Sequence, residues 1–264
     1  MNNHISVLDH GFVTLRNLAG PTRRIWHDAP ADAEQTGLWD VVCGAPDRKD
    51  FKLLHEFDAS DVDVANSARM SFDGQDQERS YEIEMKLNRY LLKNRHMTPF
   101  ESIEVWLEMK LPIFVARQFV RHRTATLNEI SGRYVILPEE WYIPEVIGAK
   151  SADKKQGQAE GLDLAIQEWF KSELHAHCQR GFKLYLEAVD RGVAPEHARI
   201  ALGLGHYTHW LWKQDLRNML HFLGLRMHSH AQKEAQAYAN AIFALLEPHL
   251  PGIMGLYKEL MQQP

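Results

Sequence analysis

The sequence predicts an α+β fold, one domain over residues 1–264 with a mixed or antiparallel sheet flanked by helices. Three observations predict it. Residues 103–111 alternate strictly, with Ile103, Val105, Leu107, Met109 and Leu111 against Ser102, Glu104, Trp106, Glu108 and Lys110, the period of a strand with one buried face. Helical periodicity recurs around it. The strands and helices lack the regular β-α-β rhythm of a parallel sheet. A chain of 264 residues, 45% hydrophobic and 25% charged, has ample material for one large core.

Taken in order, Ile5–Leu8 and Phe12–Leu15 read as two short strands around Asp9-His10-Gly11. Residues 20–58 hold Pro21, Pro30 and Pro46 and show no sustained period, so they read as an irregular insertion or flap. Asp61 is a candidate cap for a helix through Ala68. Ile83, Leu87, Tyr90 and Leu91 place a helix over about 78–93. Pro112 opens a helix through about Arg121, a position that proline favours. Tyr134–Leu137 reads as a strand, and residues 148–161, polar and rich in Gly and Lys, read as a loop. A long helix is expected over about 162–190, ended by Arg191-Gly192, and another starts near Pro195. Tyr207–Trp212 suits a strand. Leu216, Met219, Leu220 and Leu223 form an apolar stripe on a helix stopping near Gly224. The C-terminal helix is expected over about 231–246, stopped by Pro248.

Several function classes recede on composition. A net charge of −5 argues against nucleic acid as the main partner. No apolar run reaches the ~18 residues needed to cross a bilayer, and Met1-Asn2-Asn3-His4 lacks the blocks of a signal peptide. A cytoplasmic protein without membrane contact is the expectation. Cys43 and Cys178 form no CxxC pattern and read as free thiols. Fifteen histidines include no HExxH arrangement, so no metal site is expected. Met219, Trp210 and Trp212 read as core.

The chemistry concentrates in residues 112–134. Gln118 and Arg121 are three apart and share a helix face. Arg121, His122 and Arg123 crowd one helix end, where dipole complementarity explains one or two cations. Asn128, Glu129, Ser131 and Arg133 then follow within six positions. Arginine forks bind phosphate and carboxylate bidentately. The residues alone leave two readings open: a pocket for an anionic, hydrogen-bonding small molecule, or a solvated polar loop.

This segment resembles the flavin-dependent thymidylate synthases, whose pattern is R-H-R-x-x-S-x-N-E-x-S-x-R-Y. The stretch Arg121–Tyr134 matches every fixed position except one, where Thr126 stands for Ser and keeps a hydroxyl. The resemblance extends to Ala68-Arg69-Met70-Ser71-Phe72, His96-Met97-Thr98-Pro99-Phe100-Glu101, Pro112–Gln118, Leu220–Arg226 and Ser229-His230-Ala231-Gln232. It covers most of residues 5–18 and 62–247, and compact family members lack the 20–58 segment.

The resemblance implies synthesis of dTMP from dUMP. Methylenetetrahydrofolate gives the carbon, FAD carries the hydride and NADPH reduces the flavin. It implies a homotetramer whose active sites are shared between subunits. It implies dUMP contacts at Gln118, Arg121, Ser131, Gly132, Arg133, Arg199 and Arg226, with Arg226 as the catalytic guanidinium just past the 215–224 helix. Arg199 has a rival role as the i+3 partner of Glu196. The implied FAD contacts are Ser71, His96, Thr98, Arg121, His122, Arg123, Asn128, Glu129, Asp215, Arg217 and His221. Many relatives have Asn where this chain has Asp215, and some have Asn where it has His221. Asp215 also suits an N-cap, while Arg217 and His221, four apart, share a face. The alternative is a family member that binds FAD or nucleotide without synthase activity.

Overall fold

The central strand of the fold is the one that alternation marks most clearly. The computed structural model describes residues 3–20, 59–74, 77, 79–150, 158–159 and 162–261. The irregular-insertion reading of 20–58, Gly20 apart, and Cys43 lie outside the described residues. Five antiparallel strands form the main sheet, in the order β1 (His4–Val7), β2 (Gly11–Ala19), β3 (Glu104–Pro112), β7 (Tyr207–Asp215) and β4 (Thr126–Glu129). Met109 pairs with Trp210 and Leu107 with Trp212, while Val13 and Leu15 pair with Met109 and Leu107 from the other side. These side chains line the buried face of the sheet. The other face is charged: Glu108 takes Arg16 and His209, and Lys213 takes Glu104.

The helices are α1 (Asp61–Arg69), α2 (Tyr81–Lys93), α3 (Ile113–Phe119), α4 (Leu164–Asp190), α5 (Pro195–Ala198), α6 (Leu216–Arg226), α7 (Lys233–Leu246) and α8 (Pro251–Met261). The helix α7 lies against β1, β2 and α6. Its Tyr238 hydroxyl donates to the Lys110 carbonyl at 2.7 Å. Gly11 permits that approach, since a Cβ there would meet Tyr238 Oη at 1.9 Å and Lys110 O at 2.8 Å. Trp210, Trp212 and Met219 are core, as expected.

Some boundaries differ from the sequence reading. Tyr134–Leu137 is not a strand: one turn, closed by Tyr134 N–H donating to Ser131 O, runs into irregular chain. Thr126–Glu129, expected as loop, is an edge strand on β7. Inside the expected 148–161 loop, Ala149–Lys150 pairs with Gln158–Ala159 as β5 and β6. Asp61 is not the cap of α1, which Ser60 supplies. Its carboxylate instead accepts Tyr81 Oη and the backbone N–H groups of Gly252 and Ile253 at 2.7–2.8 Å. It thereby caps α8, a helix that the prolines at 248 and 251 concealed. Arg226 is not past the end of α6 but in its last turn.

Two connections position the site. Pro112 ends β3 and opens α3, and Asp215 ends β7 and opens α6. Because Pro112 pairs with Tyr207 and Glu104 with Asp215, the two helices leave opposite ends of one strand pair. Their far ends converge. Phe119 packs edge-on against Phe222, with centroids 4.8 Å apart, and stacks near Trp212 at 6.2 Å.

Candidate functional site

The aromatic contact that ends α3 delivers His122 to the last turns of α6. Its ring lies edge-on to Phe222, centroids 4.9 Å apart, and 6.1 Å from His221. Arg226 donates from Nε to His122 Nε2 at 3.3 Å and from Nη2 to the Gln118 carbonyl at 3.0 Å. The Gln118 side chain donates to Gln232 Oε1 at 2.5 Å. Arg226 thus meets Gln118 and His122, both more than a hundred positions earlier in the sequence, in one hydrogen-bonded group. Burial, aided by the charges of Arg226 and His221, lowers the His122 pKa to about 4. Burial also pushes the Arg226 pKa down, but a guanidinium stays charged. Arg121 and Arg123, on either side of His122, are exposed, and among the described residues neither has an ion pair or hydrogen bond.

One turn before His221, Arg217 borders a cavity of about 1300 Å³. Ser71, His96, Thr98 and Arg217, all implied flavin contacts, line it together with Arg69, Arg79 and Arg95. The turn after α2 lines it: Arg95 sits at φ +56°, and His96 packs edge-on to Tyr90, centroids 5.7 Å apart. Glu101 pairs with Arg217 at the rim. Typical small-molecule pockets measure roughly 300–1,000 Å³. This one has room for a dinucleotide, and its arginines suit a diphosphate.

A third group forms beyond the edge strand. Arg133 pairs with Glu196 at 3.0 Å, so Glu196 serves Arg133 rather than Arg199, for which the i−3 spacing had suggested it. Arg199 stacks its chain over Gly132, where an added Cβ would meet Arg199 Cδ at 3.3 Å and Leu137 Cδ1 at 3.0 Å. The Ser131 hydroxyl accepts the Arg133 N–H at 3.3 Å. Ser131, Gly132, Arg133 and Arg199 are therefore neighbours. Among the described residues no hydrogen bond or ion pair joins them to Arg226. Asn128 and Glu129 lie on β4, and Glu129 accepts a hydrogen bond from Thr208.

Asp215 caps α6, accepting the Asn218 N–H at 2.9 Å and its side-chain amide at 2.6 Å. Both oxygens are thereby engaged with the helix. Sequence reasoning missed Gln232 and Glu101, and it paired Glu196 with Arg199 rather than with Arg133. Gln232 and Glu101 lay inside blocks that had been singled out, and only the contacts assign them partners.

A large arginine-lined cavity bordered by α6, the helix that also carries a guanidinium held by a histidine, suits a class: enzymes that handle nucleotides with a large anionic cofactor. The comparisons narrow it. The family model described as "Thymidylate synthase complementing protein" matches residues 52–252. The "Flavin-dependent thymidylate synthase" of Treponema denticola is 41% identical over 206 residues, covering 77% of each chain. That of Thermus thermophilus is 37% identical over 211 residues, covering 80% of this chain and 76% of its own. The chain belongs to the flavin-dependent thymidylate synthase family. A crystal structure of a UMP/dUMP methylase, PolB, from Streptomyces cacaoi shares the fold, with TM-score 0.73, 22% identity and 97% of each chain covered.

Proposed function

We propose that this chain makes dTMP from dUMP by reductive methylation, with methylenetetrahydrofolate as carbon donor and NADPH as reductant. The observation that carries the reading is Arg226, a partly buried guanidinium whose Nε and Nη2 are tied to His122 and Gln118. C5 of uracil is a poor nucleophile, and electron density reaches it when negative charge develops on the ring and is stabilised there. A fixed cation in a partly dry site does this without reorganising. A cysteine adding to C6 is the other known route. Cys178, on α4, has its thiol pKa raised by burial, which disfavours the thiolate that such an attack needs.

Bound FAD supplies the hydride. Ser71, His96, Thr98 and Arg217 around the large cavity would hold it, with His122, His221, Arg121, Arg123, Asn128 and Glu129 completing the contacts. Asp215 would act on it only through α6. Gln118, Arg121, Ser131, Gly132, Arg133 and Arg199 would hold dUMP, Ser131 and Arg133 at its phosphate.

We read the assembly as a homotetramer with shared sites, in a cytoplasmic enzyme. Two observations support it. Among the described residues no hydrogen bond or ion pair joins the Ser131–Arg133–Arg199 group to Arg226 within one chain. Large apolar side chains are also exposed on α4 and the following turns, Trp169 at 63% and Ile200 at 76% among them. Among the described residues no helix is long and apolar enough to cross a membrane.

The test is the visible spectrum of the purified protein. It should be yellow, bleach anaerobically with NADPH, and convert dUMP to dTMP when methylenetetrahydrofolate is added. Protein that takes up no FAD would sink the reading, and a flavoprotein that yields no dTMP would leave the binding-only alternative.

A further inference from the structure

Arginine only donates hydrogen bonds. Since Arg226 Nε points at His122 Nε2 at 3.3 Å, that nitrogen must carry a lone pair. The His122 ring is therefore neutral with its proton on Nδ1. The Gln118 carbonyl takes a second donor, Nη2, at 3.0 Å. The remaining hydrogens, including both on Nη1, have no protein acceptor among the described residues. The guanidinium plane is thus fixed from one edge and free at the other.

We infer that His122 is a positioning residue for Arg226: its Nε2 sets the plane of the guanidinium that meets the pyrimidine. This adds a task to the flavin contact that resemblance gives His122, and it rests on the proposed dTMP synthesis. Its support is geometric. The ring is wedged between Phe222 and His221, at 4.9 and 6.1 Å, both on the helix that carries Arg226. The Phe119–Phe222 contact fixes where α3 ends, and therefore where the ring lies. The depressed basicity of His122 is consistent with a ring that stays an acceptor at neutral pH. Because the ring touches both His221 and Arg226, it couples the flavin side of α6 to the nucleotide side.

The experiment uses the flavin-loaded enzyme and two variants. His122→Gln puts an amide oxygen near the Nε2 position and keeps an acceptor. His122→Phe keeps the ring against Phe222 and has none. The inference expects kcat/KM for dUMP to fall roughly 10- to 100-fold in His122→Phe, the range for losing a hydrogen bond to a charged group. His122→Gln should restore most of it. All rates are read at saturating FAD, so that a loss of the flavin contact at His122 does not enter the comparison of the two variants. In an Arg226→Ala background, His122→Phe should have little further effect, since the two losses are one. At saturating FAD, equal losses in the Gln and Phe variants, or losses additive with Arg226→Ala, would each overturn it. If the wild type binds dUMP but forms no dTMP, the functional reading fails instead. Calorimetric dUMP affinity across the same variants then still decides the coupling.

Discussion

His122 makes a pH prediction whose sign follows from burial. Its pKa falls from 6.5 in the unfolded chain to about 4 in the fold, so the unfolded state binds the proton more readily between those values. Stability is then full above about 6.5 and declines as pH falls toward 4. The melting temperature of His122→Gln should fall less steeply than the wild type's across that window. Buried His206, lowered for the same reason, keeps some slope in both. A variant curve parallel to the wild type's would contradict this. Arg133 offers a second test at the same scale. Its pair with Glu196 is half-exposed and is worth at most about 1 kcal/mol. Arg133→Ala should thus barely move the melting temperature while weakening dUMP binding by roughly tenfold or more, read by titration calorimetry.

Among the elements, α6 carries most of the site, and Asp215 starts it. Replacing Asp215 with Ala should cost about 1 kcal/mol, the usual worth of an N-cap, while Asn should be nearly neutral. Chemical denaturation measures both. FAD affinity equal in wild type and Asp215→Asn would keep Asp215 out of direct flavin contact. The elements also show what a sequence carries. The alternation over 103–111 was readable because one face of β3 is buried and the other is not. Strand β4 was not, because Thr126–Glu129 is exposed on every residue, and without a buried face there is no period to see. Helix α8 was hidden by Pro248, Pro251 and Gly252, all ordinary stop signals. The motif at 121–134 named its chemistry, yet the Arg226–His122 contact spans 104 positions. Nothing in local spacing predicts such a meeting.

For the whole molecule, the exposed apolar side chains set the expectation. Trp169 and Phe170 sit next to each other on α4 and remain 63% and 41% exposed, which is costly for a monomer in water. Trp169→Glu should shift the assembly to smaller species in sedimentation velocity, and with shared sites it should lower synthase activity in step. An unchanged sedimentation coefficient would remove this face from the interface.

The carboxylate of Asp61, near the start of the described helices, ends up over the first turn of the last one. Gly252 and Ile253 donate their amide hydrogens to it across 191 and 192 positions. Those two amides are therefore locked by a residue from a distant part of the sequence, and they cannot open by fraying alone. Their deuterium exchange should be as slow as that of β3, reporting global opening. In Asp61→Ala the same amides should exchange orders of magnitude faster, while those of β3 keep close to the pace that the variant's overall stability sets.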